Sequence, residues 1–178
     1  MTLGSVSLGS AFAVPFFVAA GLLVLAGAAK LLRPEGASRA MAAAGLPRHP
    51  LIARGLGSLE IAAGGACLAA PRPGFAAAMA ALYLVFAAFL THLILRRIPG
   101  ASCGCLGSRD SPPTRVHVLL NLTAAAAGAF AAFDPPPGLV TFTLSLPLHG
   151  LPFLVGAACA AYLAYLSVSL LPQISTRR

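Results

Sequence analysis

Five apolar runs, each close to the length of a bilayer crossing, govern what this 178-residue chain can fold into. They cover about residues 11–32, 51–70, 75–95, 116–133 and 151–171. A crossing takes roughly 20 apolar residues in helical form, because lipid offers no partner to an open backbone N–H or C=O. Composition agrees: 58% of residues are hydrophobic and 9% charged, far below the charged share of a soluble domain. The chain therefore reads as an all-α integral membrane protein, a bundle of five transmembrane helices forming one domain over residues 1–178. Alanine and glycine are abundant and tryptophan is absent, so the helices should pack by close backbone approach.

The formal net charge of +8 would suggest a nucleic-acid partner in a soluble chain. Here the basic residues sit between the apolar runs, so membrane topology accounts for them and no nucleic acid is expected. An external N-terminus puts Lys30, Arg33, Arg39, Arg48, Arg54, Arg96, Arg97, Arg109, Arg115, Arg177 and Arg178 on the cytoplasmic side, and leaves only Arg72 outside. The positive-inside rule then predicts an N-terminus outside and a C-terminus in the cytoplasm. The first run should persist as a helix rather than be cleaved, since no Lys or Arg precedes it and Lys30 and Arg33 follow it.

The connections carry local signals. Within residues 33–50, Ala-Met-Ala-Ala-Ala-Gly predicts a short interfacial helix ending at Gly45-Leu46-Pro47. Pro71-Arg72-Pro73-Gly74 reads as a tight turn. Residues 134–150 are proline-rich at their start and apolar through 139–148, which predicts a segment lying on the outer membrane surface.

Chemistry concentrates in the polar loop between the third and fourth runs, at Ser102-Cys103-Gly104-Cys105-Leu106-Gly107. Two thiols separated by one glycine can close a small strained disulfide ring or grip one metal ion together. A strained disulfide is easily reduced, which favours exchange over bracing. Arg96, Arg97, Arg109 and Arg115 flank the pair and lower the cost of a thiolate. His92 and His117 approach the loop from the two flanking helices. As bases they would generate the thiolate; as nitrogen ligands they would complete a metal site of Cys103, Cys105, His92 and His117. The plainer reading, favoured for each, is a histidine solvated at a helix end.

Inside the spans, Gly57, Glu60, Gly64 and Cys67 share one face of the second helix. A carboxylate in lipid is costly, so Glu60 should turn toward the first or fourth membrane helix. Proton transfer beside a redox centre and a structural partner such as Lys30 or Arg54 stand as equal readings. His117, Asn121, Ala124 and Gly128 share a face of the fourth helix. Cys67 and Cys159 are isolated and read as small hydrophobes, with a second redox pair on the outer side the less favoured alternative. Tyr162 and Tyr165 read as packing or interface residues.

Several of these residues together form a known pattern: Gly27-Ala28-Ala29-Lys30-Leu31 with Pro34, Leu59-Glu60, Arg96-Arg97 before Cys103-Gly104-Cys105-Leu106-Gly107, and Asn121-Leu122. Over residues 11–133 the chain resembles the methylamine utilisation protein MauE family, within the DoxX-like group of small membrane proteins. Phenylalanine is commoner in the family where Leu106 stands, and an arginine where Leu120 stands; the second departure weakens any charge role for that helix. The resemblance implies a bacterial cytoplasmic-membrane accessory protein serving the disulfide-rich maturation of exported proteins, alongside an exported thioredoxin-like partner. It does not carry methylamine metabolism to this chain. Cys103 and Cys105 would be the redox pair, supported by Glu60, His117 and Asn121. Dithiol chemistry needs no cofactor, and a quinone or a metal belongs to the alternative of a non-redox assembly subunit. A small-solute transporter has less support, since no internal repeat is visible.

Overall fold

The computed structural model describes residues 12–97, 112–151 and 153–159 of the chain. Its elements are α1 (Ala13–Leu32), α2 (Glu35–Ala43), α3 (Pro50–Ala69), α4 (Pro73–Arg96), α5 (Arg115–Phe133), α6 (Leu139–Ser145) and a 3-10 turn (Pro147–Gly150). There is no strand among the described residues. The helices α1, α3, α4 and α5 are each long and apolar enough to cross a membrane. They fall on the first four apolar runs, and the chain is a multi-pass membrane protein. Residues 153–159 are helical and open the fifth run, whose remainder lies outside the described residues.

The boundaries follow from local chemistry. Helix α3 begins at Pro50, a residue earlier than hydropathy indicates, because His49 caps it: Leu51 N–H donates to His49 Nδ1 at 3.3 Å. Proline is tolerated there, where a backbone N–H would have no helical partner. Helix α4 likewise opens on Pro73. The short helix expected in the first connection is α2. It closes as a Schellman motif, with Leu46 N–H donating to Met41 O, Gly45 N–H to Ala42 O, and Gly45 at φ +79°. The connection after α5 is not extended. It folds as α6, and Phe142 packs at 5.6 Å from Phe17 and 5.0 Å from Phe153. Helical hydrogen bonds satisfy the backbone, and one buried aromatic ring draws the segment onto the bundle.

Helices α1 and α3 run antiparallel and touch backbone to backbone. A methyl group at Gly27 would lie 2.5 Å from Gly57 O, and one at Gly64 would lie 2.6 Å from Ala20 O. Helices α4 and α5 form a second close pair, in which Gly128 lies against Ala76 and Ala80. Tyr83 ties the pairs together: its hydroxyl donates to Ala19 O of α1 at 2.7 Å, in the core. The outward faces carry Leu25, Leu59, Leu84, Val85 and Leu119, suited to acyl chains. Lipid gives helices no hydrophobic reason to associate, so tight small-residue contact carries the stability. Gly57→Val should therefore lower the thermal midpoint in detergent by several degrees, since overpacking costs about 1–3 kcal/mol. Gly55→Ala, with open space around it, should leave the midpoint unchanged or slightly raised.

Candidate functional site

Glu60 sits within α3 with no exposed surface, and Lys30 near the end of α1 is 5% exposed. The glycine contact between Gly27 and Gly57 brings the two helices close enough for these side chains to meet. Lys30 Nζ lies 2.8 Å from Glu60 Oε1 and 2.9 Å from Oε2. Only the Oε2 contact has hydrogen-bond geometry, so Oε1 is held by charge alone. The ring of Phe86 on α4 lies below the ammonium, 5.4 Å from Nζ to the ring centre, within cation–π reach. Of the two partners expected for Glu60, the structure selects Lys30. Arg54 is exposed on the same helix. The full set on that face, Gly57, Glu60, Gly64 and Cys67, is buried as its spacing indicated.

At the start of α5, His117 is 2% exposed. Thr114 caps the helix and binds this ring: Thr114 N–H donates to His117 Nδ1 at 3.2 Å, and Thr114 Oγ1 lies 2.7 Å from the same nitrogen. A backbone N–H can only donate, so Nδ1 accepts and the proton of the neutral ring belongs on Nε2. Nε2 is buried and has no hydrogen-bond partner among the described residues. A buried donor without a partner costs about 1–3 kcal/mol, so this nitrogen stands ready for an acceptor. Solvation at the helix end, the plainer expectation for His117, does not hold. His92 meets that description better, being exposed on α4. Asn121 turns back on its own helix, its Nδ2 donating to His117 O at 2.7 Å.

Helix directions place the end of α1, the start of α3, the end of α4 and the start of α5 at one end of the bundle. The Lys30–Glu60 pair stands toward that end, and His117 lies in the first turn of α5. Cys103 and Cys105 lie outside the described residues, in the segment that joins α4 to α5. Cys67 and Cys159 are free thiols, the first buried and the second exposed.

The match that decides the family extends from residue 8 to residue 134. The chain belongs to the MauE family. The matching family model is described as methylamine utilisation protein MauE. No curated protein and no solved structure matches the chain. The MauE match spans α1 to α5 and the Cys103-Gly104-Cys105 segment between α4 and α5. As a MauE-family member the chain is a membrane accessory protein.

Two contributors at this end are not evident from hydropathy. Thr114 is legible in retrospect, because Thr-x-x-His places a nitrogen acceptor where a capping box usually has Glu or Gln. Phe86 has no such signal, since one phenylalanine in an apolar run looks like any other.

Proposed function

We propose that this protein performs thiol–disulfide exchange through Cys103 and Cys105 in the maturation of exported proteins, with an exported thioredoxin-like protein as its partner. MauE-family membership across the segment that carries the two thiols is the observation that supports this reading most. The thiolate of one cysteine attacks a disulfide of the partner, giving a mixed disulfide and releasing one partner thiolate. The second cysteine then displaces the other partner sulfur. Two electrons pass to the partner, whose disulfide becomes a dithiol while Cys103 and Cys105 become a disulfide; the reverse sequence oxidises the partner. The buried Nε2 of His117, without a partner among the described residues and at the same end of the bundle, supports a role in stabilising a thiolate, because imidazole N–H is a suitable donor to sulfur. The Lys30–Glu60 pair serves this reading as a fixed seam between α1 and α3.

The same reading places the N-terminus outside and the basic end of the bundle in the cytoplasm. The protein then carries reducing equivalents from the cytoplasmic side toward exported partners, or exposes the loop to them from within the bundle. Alkylation gel-shift in intact cells and inverted vesicles tests both chemistry and sidedness. Cys103 and Cys105 should shift only after reduction in a fraction of molecules, and an impermeant reagent should reach them in inverted vesicles. Thiols that stay fully reduced under oxidising conditions would exclude the exchange mechanism. Reporter fusions should read external after Pro137 and cytoplasmic after Arg178; the opposite pattern would reverse the topology.

A further inference from the structure

We propose that the arginine-rich end of the α3–α4 hairpin is a binding site for the phosphate headgroup of an anionic phospholipid. Basic residues are segregated along the bundle: Arg33, Arg39, Arg48, Arg54, Arg96, Arg97 and Arg115 are exposed at one end, and Arg72 alone among the described residues is exposed at the other. Four of them belong to one hairpin. Helices α3 and α4 are joined by the turn centred on Pro71, so residues equally far from Pro71 in sequence stand at similar levels. On that register Pro50 is level with His92, while Arg96 reaches about 6 Å beyond the start of α3 at 1.5 Å per residue. Arg54 lies about 6 Å inside it, by the same rise. Arg48, Arg54, Arg96 and Arg97 thus span about 12 Å along the bundle axis, comparable with the headgroup layer and the first turn below it.

No described carboxylate pairs with the charge of this patch. Among the described residues, no ion pair holds Arg48, Arg54, Arg96 or Arg97. Of the described acids, Glu60 is committed to Lys30, Asp134 lies at the opposite end of the bundle, and Glu35, exposed in the first turn of α2 at the same end, makes no ion pair with these four arginines. The same end of the hairpin also exposes aliphatic side chains, with Leu51 63%, Ile52 48% and Leu95 76% exposed. Cations bordering exposed aliphatic side chains suit an amphiphile, whose phosphate meets guanidinium and whose acyl chains cover the leucines. A soluble phosphate would use only the first half of that surface. Arg54 is the most informative position, because a guanidinium a full turn inside the apolar zone must reach outward to an anion at the interface.

The test uses the full chain purified in neutral detergent, with added phosphatidylglycerol, phosphatidylcholine or inorganic phosphate at physiological ionic strength. Thermal midpoint and native mass spectrometry report binding. Phosphatidylglycerol should be retained roughly tenfold more tightly than phosphatidylcholine and should raise the midpoint, as expected for several cations near an anionic headgroup. Inorganic phosphate should do neither. The Arg54→Gln/Arg96→Gln/Arg97→Gln protein should lose this preference while keeping its midpoint in phosphatidylcholine; if it fails to fold, Arg54→Gln alone should reduce the preference severalfold and Arg54→Lys should retain it. Equal response to both lipids would mean apolar contact only, and a response to inorganic phosphate alone would mean a soluble anion site. Either result overturns the proposal, as does an undiminished lipid preference in the arginine variants. Neither readout depends on thiol chemistry, so the proposal stands or falls apart from the redox function.

Discussion

Lys30→Met should lower the thermal midpoint of the detergent-solubilised protein by about 10 °C, and Lys30→Met/Glu60→Gln should recover most of that loss. Removing one member of a buried ion pair strands the other without compensation, at a cost of about 3–5 kcal/mol. At roughly 2–4 °C per kcal/mol for a chain of this size, the expected drop follows. Glu60 has no exposed surface and, among the described residues, no second cation in contact, so hydration cannot relieve the charge. The double variant removes both charges and keeps similar volume, which is often close to neutral. Lys30→Glu/Glu60→Lys is a stricter test, because it restores charge complementarity with the shorter acid on α1. An unchanged midpoint for Lys30→Met would show that the pair contributes nothing to holding α1 against α3.

On the proposed exchange mechanism, Cys103→Ser and Cys105→Ser should each abolish the maturation of an exported disulfide partner while leaving the thermal midpoint within a degree or two of wild type. Serine is nearly isosteric with cysteine but cannot form or exchange a disulfide, so the loss is chemical rather than structural. Cys67→Ala provides the contrast. Its thiol is fully buried against the core, so the cost is packing, about 1 kcal/mol, with maturation retained. His117→Ala should slow exchange without abolishing it, whereas a purely structural histidine would change stability alone. Full activity in the Cys103→Ser or Cys105→Ser protein would end the redox reading, with maturation of the partner scored by its disulfide content.

How much of this was legible beforehand depends on the range of each interaction. The spans were readable because lipid forces every backbone group into a local hydrogen bond, so length and hydropathy suffice. The end of α2 was readable because Gly45 can take positive φ at little cost. The capping of α3 by His49 shifted its start by one residue, a correction that hydropathy cannot supply. The helical fold of α6 depended on Phe142 finding Phe17 and Phe153, contacts distant in sequence.

For the site, spacing placed Gly57, Glu60, Gly64 and Cys67 on one face, since helical periodicity is a local property. Choosing Lys30 over Arg54 as the partner of Glu60 was beyond it. That choice needs the rotation and register of α1 against α3, which the Gly27–Gly57 contact decides in three dimensions. The histidines divide in the same way. Sequence put both His92 and His117 near helix ends, but only packing buries His117 and leaves His92 exposed. The sequence by itself determined that this chain crosses a membrane as helices, and the residue pattern that marks its family. Tertiary structure alone decided which buried charge meets which, because helix periodicity orders side chains along one helix and says nothing of the helix that will face it.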